Sequence, residues 1–150
     1  MEELEEIEKQ LREKLKNNAF MQHNCIELES VAKNPDQAVV RLQVRPESCN
    51  PYGIVHGGAI YAMADNAAGT AASLDGRYYV TQTSAMHFLR NQSVGVVRGV
   101  GTVRHRGHAT CLVSVDITGD NGKLIATGEF TFFCVDRSVL EQKVQKENGR

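Results

Sequence analysis

Proline is scarce in this chain, and no residue type dominates it. Three prolines among 150 residues, beside 13 glycines in no regular repeat, exclude a collagen-like or low-complexity chain. Neither charge sign prevails: 17 basic residues face 18 acidic ones, a net charge of −1. The basic excess of a general nucleic-acid binder is therefore missing. Four cysteines stand at positions 25, 49, 111 and 134, and no two have the CxxC spacing of a redox motif or zinc ribbon. The longest apolar runs fall far short of the ~20 residues that a membrane span needs. No basic-then-apolar leader pattern opens the chain. These absences set the expectation of a cytoplasmic protein with reduced, mostly buried thiols, no metal centre, and neither membrane nor nucleic acid as partner.

What is present is enough chain for one domain with an ordinary core. Residues 1–20 predict a surface helix, because Leu4, Ile7, Leu11 and Leu15 form a narrow apolar stripe between charged flanks. Residues 21–136 carry the rest of the fold. Cys25 to Ala32 and Ala38 to Arg45 read as a hairpin around Asn34-Pro35-Asp36, with Val40, Leu42 and Val44 alternating against polar partners. From Gly58 to Ser73 the chain is alanine-rich and apolar nearly all round, which places that helix inside the protein. Four strand-like runs follow: Tyr78–Leu89, Val94–Arg106, one centred on Cys111–Ile117 and one on Ala126–Cys134. The tail, 137–150, is charged and expected to fray. Helices and strands do not alternate, so a doubly wound fold is excluded. The pattern predicts an α+β architecture, one antiparallel sheet wrapped around one apolar helix.

Asp65 is the only charged residue of that inner helix. Desolvation there costs heavily unless the carboxylate is paired, which would raise its pKa and suit it to general-base or nucleophilic work. The plain alternative is a structural Asp held by neighbouring amides. Gly57-Gly58 stands where the helix begins, so their N–H groups lack intrahelical acceptors and carry the positive end of the helix dipole. Without side chains they admit a ligand oxygen, as an oxyanion hole requires. Eight residues separate Gly57 from Asp65, about 12 Å along a helix. One carbonyl cannot contact both, so if both act on one substrate the carboxylate must come from a second copy. That predicts a homodimer with two equivalent sites.

These residues carry a resemblance. Asn50-x-x-Gly53-x-x-His56-Gly57-Gly58 followed by Asp65 resembles the PaaI-type branch of the hotdog-fold acyl-CoA thioesterases. Thr81, then Phe88-Leu89-Arg90, Arg106-Gly107-His108 and the Asp120 to Gly128 segment extend the likeness over roughly residues 25–135. The resemblance implies that Asp65 is general base or nucleophile and that the Gly57 N–H polarises the thioester carbonyl. It further implies that Asn50 orients that carbonyl or the water, and that Thr81 places the water. His56 and Gly58 would lie beside the thioester, with a purely structural role the alternative for His56. Arg90, Arg106, His108 and Thr110 would meet the nucleotide of coenzyme A, whose phosphates suit guanidinium groups, with a solvated strand residue the alternative for each. Asn91-Gln92 departs from the small residue and proline that the resemblance implies at this point of the loop. The branch usually assembles as a dimer of dimers, and no cofactor beyond the coenzyme A of the substrate is implied.

Two other functions compete. A hotdog hydratase or dehydratase also uses a carboxylate on acyl thioesters, but pairs an Asp with a His arranged differently from His56. A non-catalytic acyl-CoA sensor would need a DNA-binding module, for which residues 1–24 are too short and too acidic.

Overall fold

The computed structural model describes residues 1–149. The elements run α1 (Glu2–Lys16), α2 (Ala19–His23), β1 (Ile26–Ala32), β2 (Gln37–Gln43), α3 (Gly57–Ala72), β3 (Tyr78–Phe88), β4 (Val96–Arg106), β5 (Thr110–Thr118), β6 (Leu124–Val135) and α4 (Arg137–Asn148), with 3-10 turns at Pro46–Ser48 and Ser73–Asp75. The six strands form one antiparallel sheet in the order β1-β2-β4-β5-β6-β3. This is the hotdog arrangement, a sheet curled around α3.

Alanine and glycine let helix and sheet approach closely. Ala64, Ala67, Ala68, Ala71 and Ala72 are fully buried. A side chain at Gly101 of β4 would put its first carbon 2.6 Å from the Ala67 carbonyl oxygen, so only glycine fits there. Val40, Leu42, Val97, Val113, Val115, Ile117 and Phe130 complete the core from the inner face of the sheet.

The N-terminal helix ends where the two asparagines stand. Asn17 is the C-cap of α1, and Asn18 starts the short α2 by accepting from the Phe20 and Met21 amides. That second helix is not legible as a separate element in the sequence. No residue of α1 is fully buried, yet Leu11 and Leu15 pack against the core. Arg12 fastens the helix to the carbonyls of Leu28 and Glu29, at the bulge of β1.

The tail differs from expectation. Asp136 caps α4, its carboxylate accepting from the Ser138 amide at 2.8 Å, and the helix runs on to Asn148. A helix N-cap followed by good helix formers outweighs the charge that argued for fraying.

Candidate active site at the seam between α3 and β3

The helix start sets out one donor. His56, at φ −62° and ψ 135°, is the N-cap, and its Nδ1 accepts from the Gly58 N–H at 2.8 Å. The Ala59 and Ile60 amides both turn back to the His56 carbonyl, at 3.0 and 3.1 Å. Among the described residues this leaves the Gly57 N–H without an acceptor, at the positive end of a 16-residue helix. The expectation that Gly58 serves the substrate does not hold for its amide, which His56 occupies. His56 itself is a helix cap, and with Nδ1 accepting, only its Nε2 edge is free to meet a ligand.

From Gly57 the helix presents a row of residues four apart to β3. The Phe88 ring lies 3.7 Å from where a Gly57 side chain would begin. One turn on, the Tyr61 hydroxyl and Ser84 Oγ are 2.5 Å apart. One turn further, Thr81 Oγ1 donates to Asp65 Oδ1 at 2.6 Å. The β3–β6 register shifts between Thr81 and Thr83. That bulge turns both Thr81 and Ser84 toward the helix, where strict alternation would have set them on opposite faces.

Asp65 and Thr81 therefore meet as expected, but the carboxylate is only partly buried. The desolvation argued from the apolar helix is not supplied by one chain. The reason is the place of β3: it is an edge strand, bonded to β6 on one side alone, and none of its 11 residues is buried. Val80, Phe88 and Leu89 on and beside it are 37%, 50% and 53% exposed. A long edge strand with apolar side chains is a template for pairing with another chain.

Asn50 stands in the loop before α3. Its Oδ1 accepts from the Tyr52 amide at 2.9 Å, its N–H donates to the Ile54 carbonyl, and Gly53 takes the positive φ that the turn needs. The carboxamide oxygen is thus spent on loop geometry.

The four residues assigned to the nucleotide do not converge. Arg90 follows β3 near Gly57 and donates to the Leu124 carbonyl. Arg106, His108 and Thr110 lie at the β4–β5 turn, at the far end of α3, a helix length of about 24 Å away. His108 is exposed and Thr110 half-buried.

Arg106 is a correction, because its guanidinium belongs to an internal network. It donates to the Ala72 carbonyl at 2.7 Å, the Tyr79 hydroxyl at 2.9 Å and Asp36 at 2.8 Å, and pairs with Asp75 at 2.9 Å. Both of its terminal nitrogens are engaged by these partners, so it is not a free phosphate ligand. Burial pushes the Asp75 carboxyl up, but hydrogen bonds from Tyr79 and Arg77 and the charge of Arg106 outweigh this and hold it below its ordinary value. Burial, reinforced by Asp75, pushes the Tyr79 hydroxyl up to about 12.

Two residues given no role by the sequence reading, Gln92 and Asp120, organise the loops around Gly57. The Gln92 amide donates to the Val94 and Val96 carbonyls and its oxygen accepts from the Asp120 amide, while its backbone carbonyl holds Val55. Asp120 in turn accepts from the Val96 amide. The only signal was Gln92 itself, standing where the family has a proline. No cluster of three His, Cys, Asp or Glu side chains capable of holding a metal occurs among the described residues. No helix among them is long and apolar enough to cross a membrane.

Comparison with known proteins places these features. The profile of the thioesterase superfamily matches residues 52–126, the stretch that holds Gly57, Asp65 and Thr81. A 1,4-dihydroxy-2-naphthoyl-CoA hydrolase of Listeria monocytogenes is 29% identical over 126 residues, covering 81% of this chain and 94% of that one. A Mycobacterium tuberculosis protein named as an esterase is 35% identical over 101 residues, covering 63% of this chain and 72% of its own. The acyl-coenzyme A thioesterase PaaI of Escherichia coli is 29% identical over 90 residues, 59% of this chain and 64% of that protein. Its solved structure aligns over 89% of this chain and 96% of its own with a TM-score of 0.79 at 23% identity, which shows the shared fold.

Proposed function

Because the chain belongs to the thioesterase superfamily, we propose that it hydrolyses acyl-CoA thioesters to the free acid and coenzyme A, in a site completed by a second copy of the chain. The observation that carries this reading is the open Gly57 N–H, on the same seam as the Asp65–Thr81 pair and beside an unpaired edge strand.

If two β3 edges pair antiparallel, the two α3 helices lie side by side in opposite directions. Asp65 of one copy then comes opposite Gly57 of the other. The second copy also covers Asp65 and supplies the desolvation that one chain lacks. Water attacks the thioester carbonyl carbon while Asp65 takes its proton, and the oxygen of the carbonyl gathers negative charge against the Gly57 N–H. Collapse of the intermediate breaks the carbon–sulfur bond, and the proton passes to the departing thiolate. Direct attack by Asp65, giving an anhydride that water then opens, uses the same geometry. Thr81 holds the carboxylate in either version. The arrangement also brings Arg90 of one copy to the end where His108 and Thr110 of the other stand, which supports a nucleotide site built from both. Assembly of two such dimers follows from the resemblance, and a cytoplasmic setting from the spacing of the four cysteines and the shortness of the apolar runs.

Asp65→Asn tests the reading. With circular dichroism unchanged, its kcat/KM on an acyl-CoA should fall about 10²–10⁴-fold. Retention of wild-type turnover would overturn the proposal.

A further inference from the structure

We infer that Tyr61, clasped to Ser84, is the stop that limits how long an acyl group this enzyme accepts. The inference rests on the thioesterase reading above and deepens it to a substrate class, short or aromatic acyl thioesters.

The carbonyl oxygen of a substrate at the Gly57 N–H fixes where its two arms begin. The coenzyme A arm is large and charged and must lead outward to solvent. The acyl arm is left with the inward direction, along the seam between α3 and β3. Phe88 forms the first stretch of that path, its ring 3.7 Å from the Gly57 side-chain position and half exposed in the single chain. The next groups inward are Tyr61 and Ser84, one helical turn or about 6 Å further on. Their hydroxyls are 2.5 Å apart, so the seam is closed there by a side chain from each wall.

Tyr61 is not free to swing aside. Its ring packs edge-on against Phe130, centroids 5.8 Å apart at 69°, and Phe130 is fully buried. A large, stiff ring braced from behind by the core and in front by a hydrogen bond makes a wall rather than a flexible lining.

The pairing of the two copies strengthens the wall. Tyr61 lies midway between Gly57 and Asp65 in sequence. An antiparallel helix pair that sets Gly57 against Asp65 therefore puts the two Tyr61 residues opposite each other at the dyad. Each site then ends, on its inner side, at the same central group of four hydroxyls. An acyl chain longer than the stretch from Gly57 to Tyr61 would have to displace that group. A flat aromatic ring or a short chain, lying against Phe88, fits ahead of it.

The test is a chain-length series, comparing kcat/KM of the purified protein on butyryl-, benzoyl-, octanoyl- and palmitoyl-CoA. The wild type should favour butyryl- or benzoyl- over palmitoyl-CoA by at least about tenfold. Tyr61→Ala should raise the palmitoyl-to-butyryl ratio by about tenfold or more, while Tyr61→Phe, which keeps the ring braced on Phe130 but loses the contact with Ser84, should raise it less than Tyr61→Ala does. Should Tyr61→Ala fail to fold, Tyr61→Leu carries the test, with a shift in the same direction expected. A folded Tyr61→Ala or Tyr61→Leu with an unchanged ratio would overturn the inference, as would a wild type that cleaves palmitoyl-CoA as well as butyryl-CoA. A wild type inert on every thioester would instead remove the hydrolase reading, and this inference with it.

Discussion

Proline in place of Gly57 would delete the one first-turn amide that α3 leaves open, and the local backbone accepts it. Gly57 is the first helical residue, a position where proline is favoured because its missing N–H has no intrahelical partner. The residue before a proline must be extended, and His56 already sits at φ −62° and ψ 135°. A β-carbon at Gly57 meets only the Phe88 ring, at the ordinary contact distance of 3.7 Å. The Gly58, Ala59 and Ile60 amides keep their acceptors on His56. Stability should therefore change by less than about 1 kcal/mol. Activity should not survive in proportion, since losing one oxyanion donor costs about 10²–10³ in kcat. Gly57→Ala is the control, because it adds the same β-carbon yet keeps the N–H, and it should retain far more activity. Thermal denaturation establishes that the variants fold, and steady-state thioester hydrolysis reads the rate. A folded Gly57→Pro protein with kcat within threefold of wild type would refute the role assigned to this amide.

Mixing subunits distinguishes a shared site from one within a single chain. If Asp65→Asn and Gly57→Pro proteins are unfolded and refolded together, half of the dimers are mixed and each has one intact site, so about a quarter of wild-type activity should return; no recovery would show that both groups act in one chain. Asp75→Asn turns a hydrogen-bond donor toward Arg77, Tyr79 and Arg106, and with Asp75 only 17% exposed it should cost about 2–3 kcal/mol, a fall in Tm of roughly 5–10 °C at neutral pH. Because the folded-state pKa of Asp75 is lowered, its contribution is present above the ordinary carboxyl value of 3.8 and lost as pH falls through the folded value. Denaturation of the two proteins should accordingly converge in acid, and a gap that stays constant with pH would contradict the electrostatic account. Gly101→Ala forces a carbon to within 2.6 Å of the Ala67 carbonyl oxygen and should destabilise by about 1–3 kcal/mol in chemical denaturation; a neutral effect would mean that α3 is not held so close to β4.

The order of elements, the inner helix and the alternation of the strands were legible because they are periodic properties of neighbouring residues. Alanines from Ala59 to Ala72 announce a helix that must be covered on most sides, and the alternation of Val40, Leu42 and Val44 announces a strand with one buried face. The caps were less legible. Residues 1–20 read as one helix, although Asn17 ends it and Asn18 caps a second, and the charge of the tail concealed the cap that Asp136 provides.

By itself the sequence determined the fold class and brought out Asp65, Gly57 and the separation between them, since helix rise converts residue numbers into distance. Only the tertiary structure decided which amide is open, because that depends on where the His56 ring turns. It also decided that Arg106 is consumed by Asp36 and Asp75, partners far away along the chain whose approach depends on how the sheet curls. The same holds for Tyr61 and Ser84, where the bulge in β3 shifts alternation by one residue and turns Ser84 toward the helix on the same side as Thr81. Local periodicity is written into the chain residue by residue. Register, bulges and side-chain direction arise only when distant segments pack, and at this site those are the features that set the chemistry.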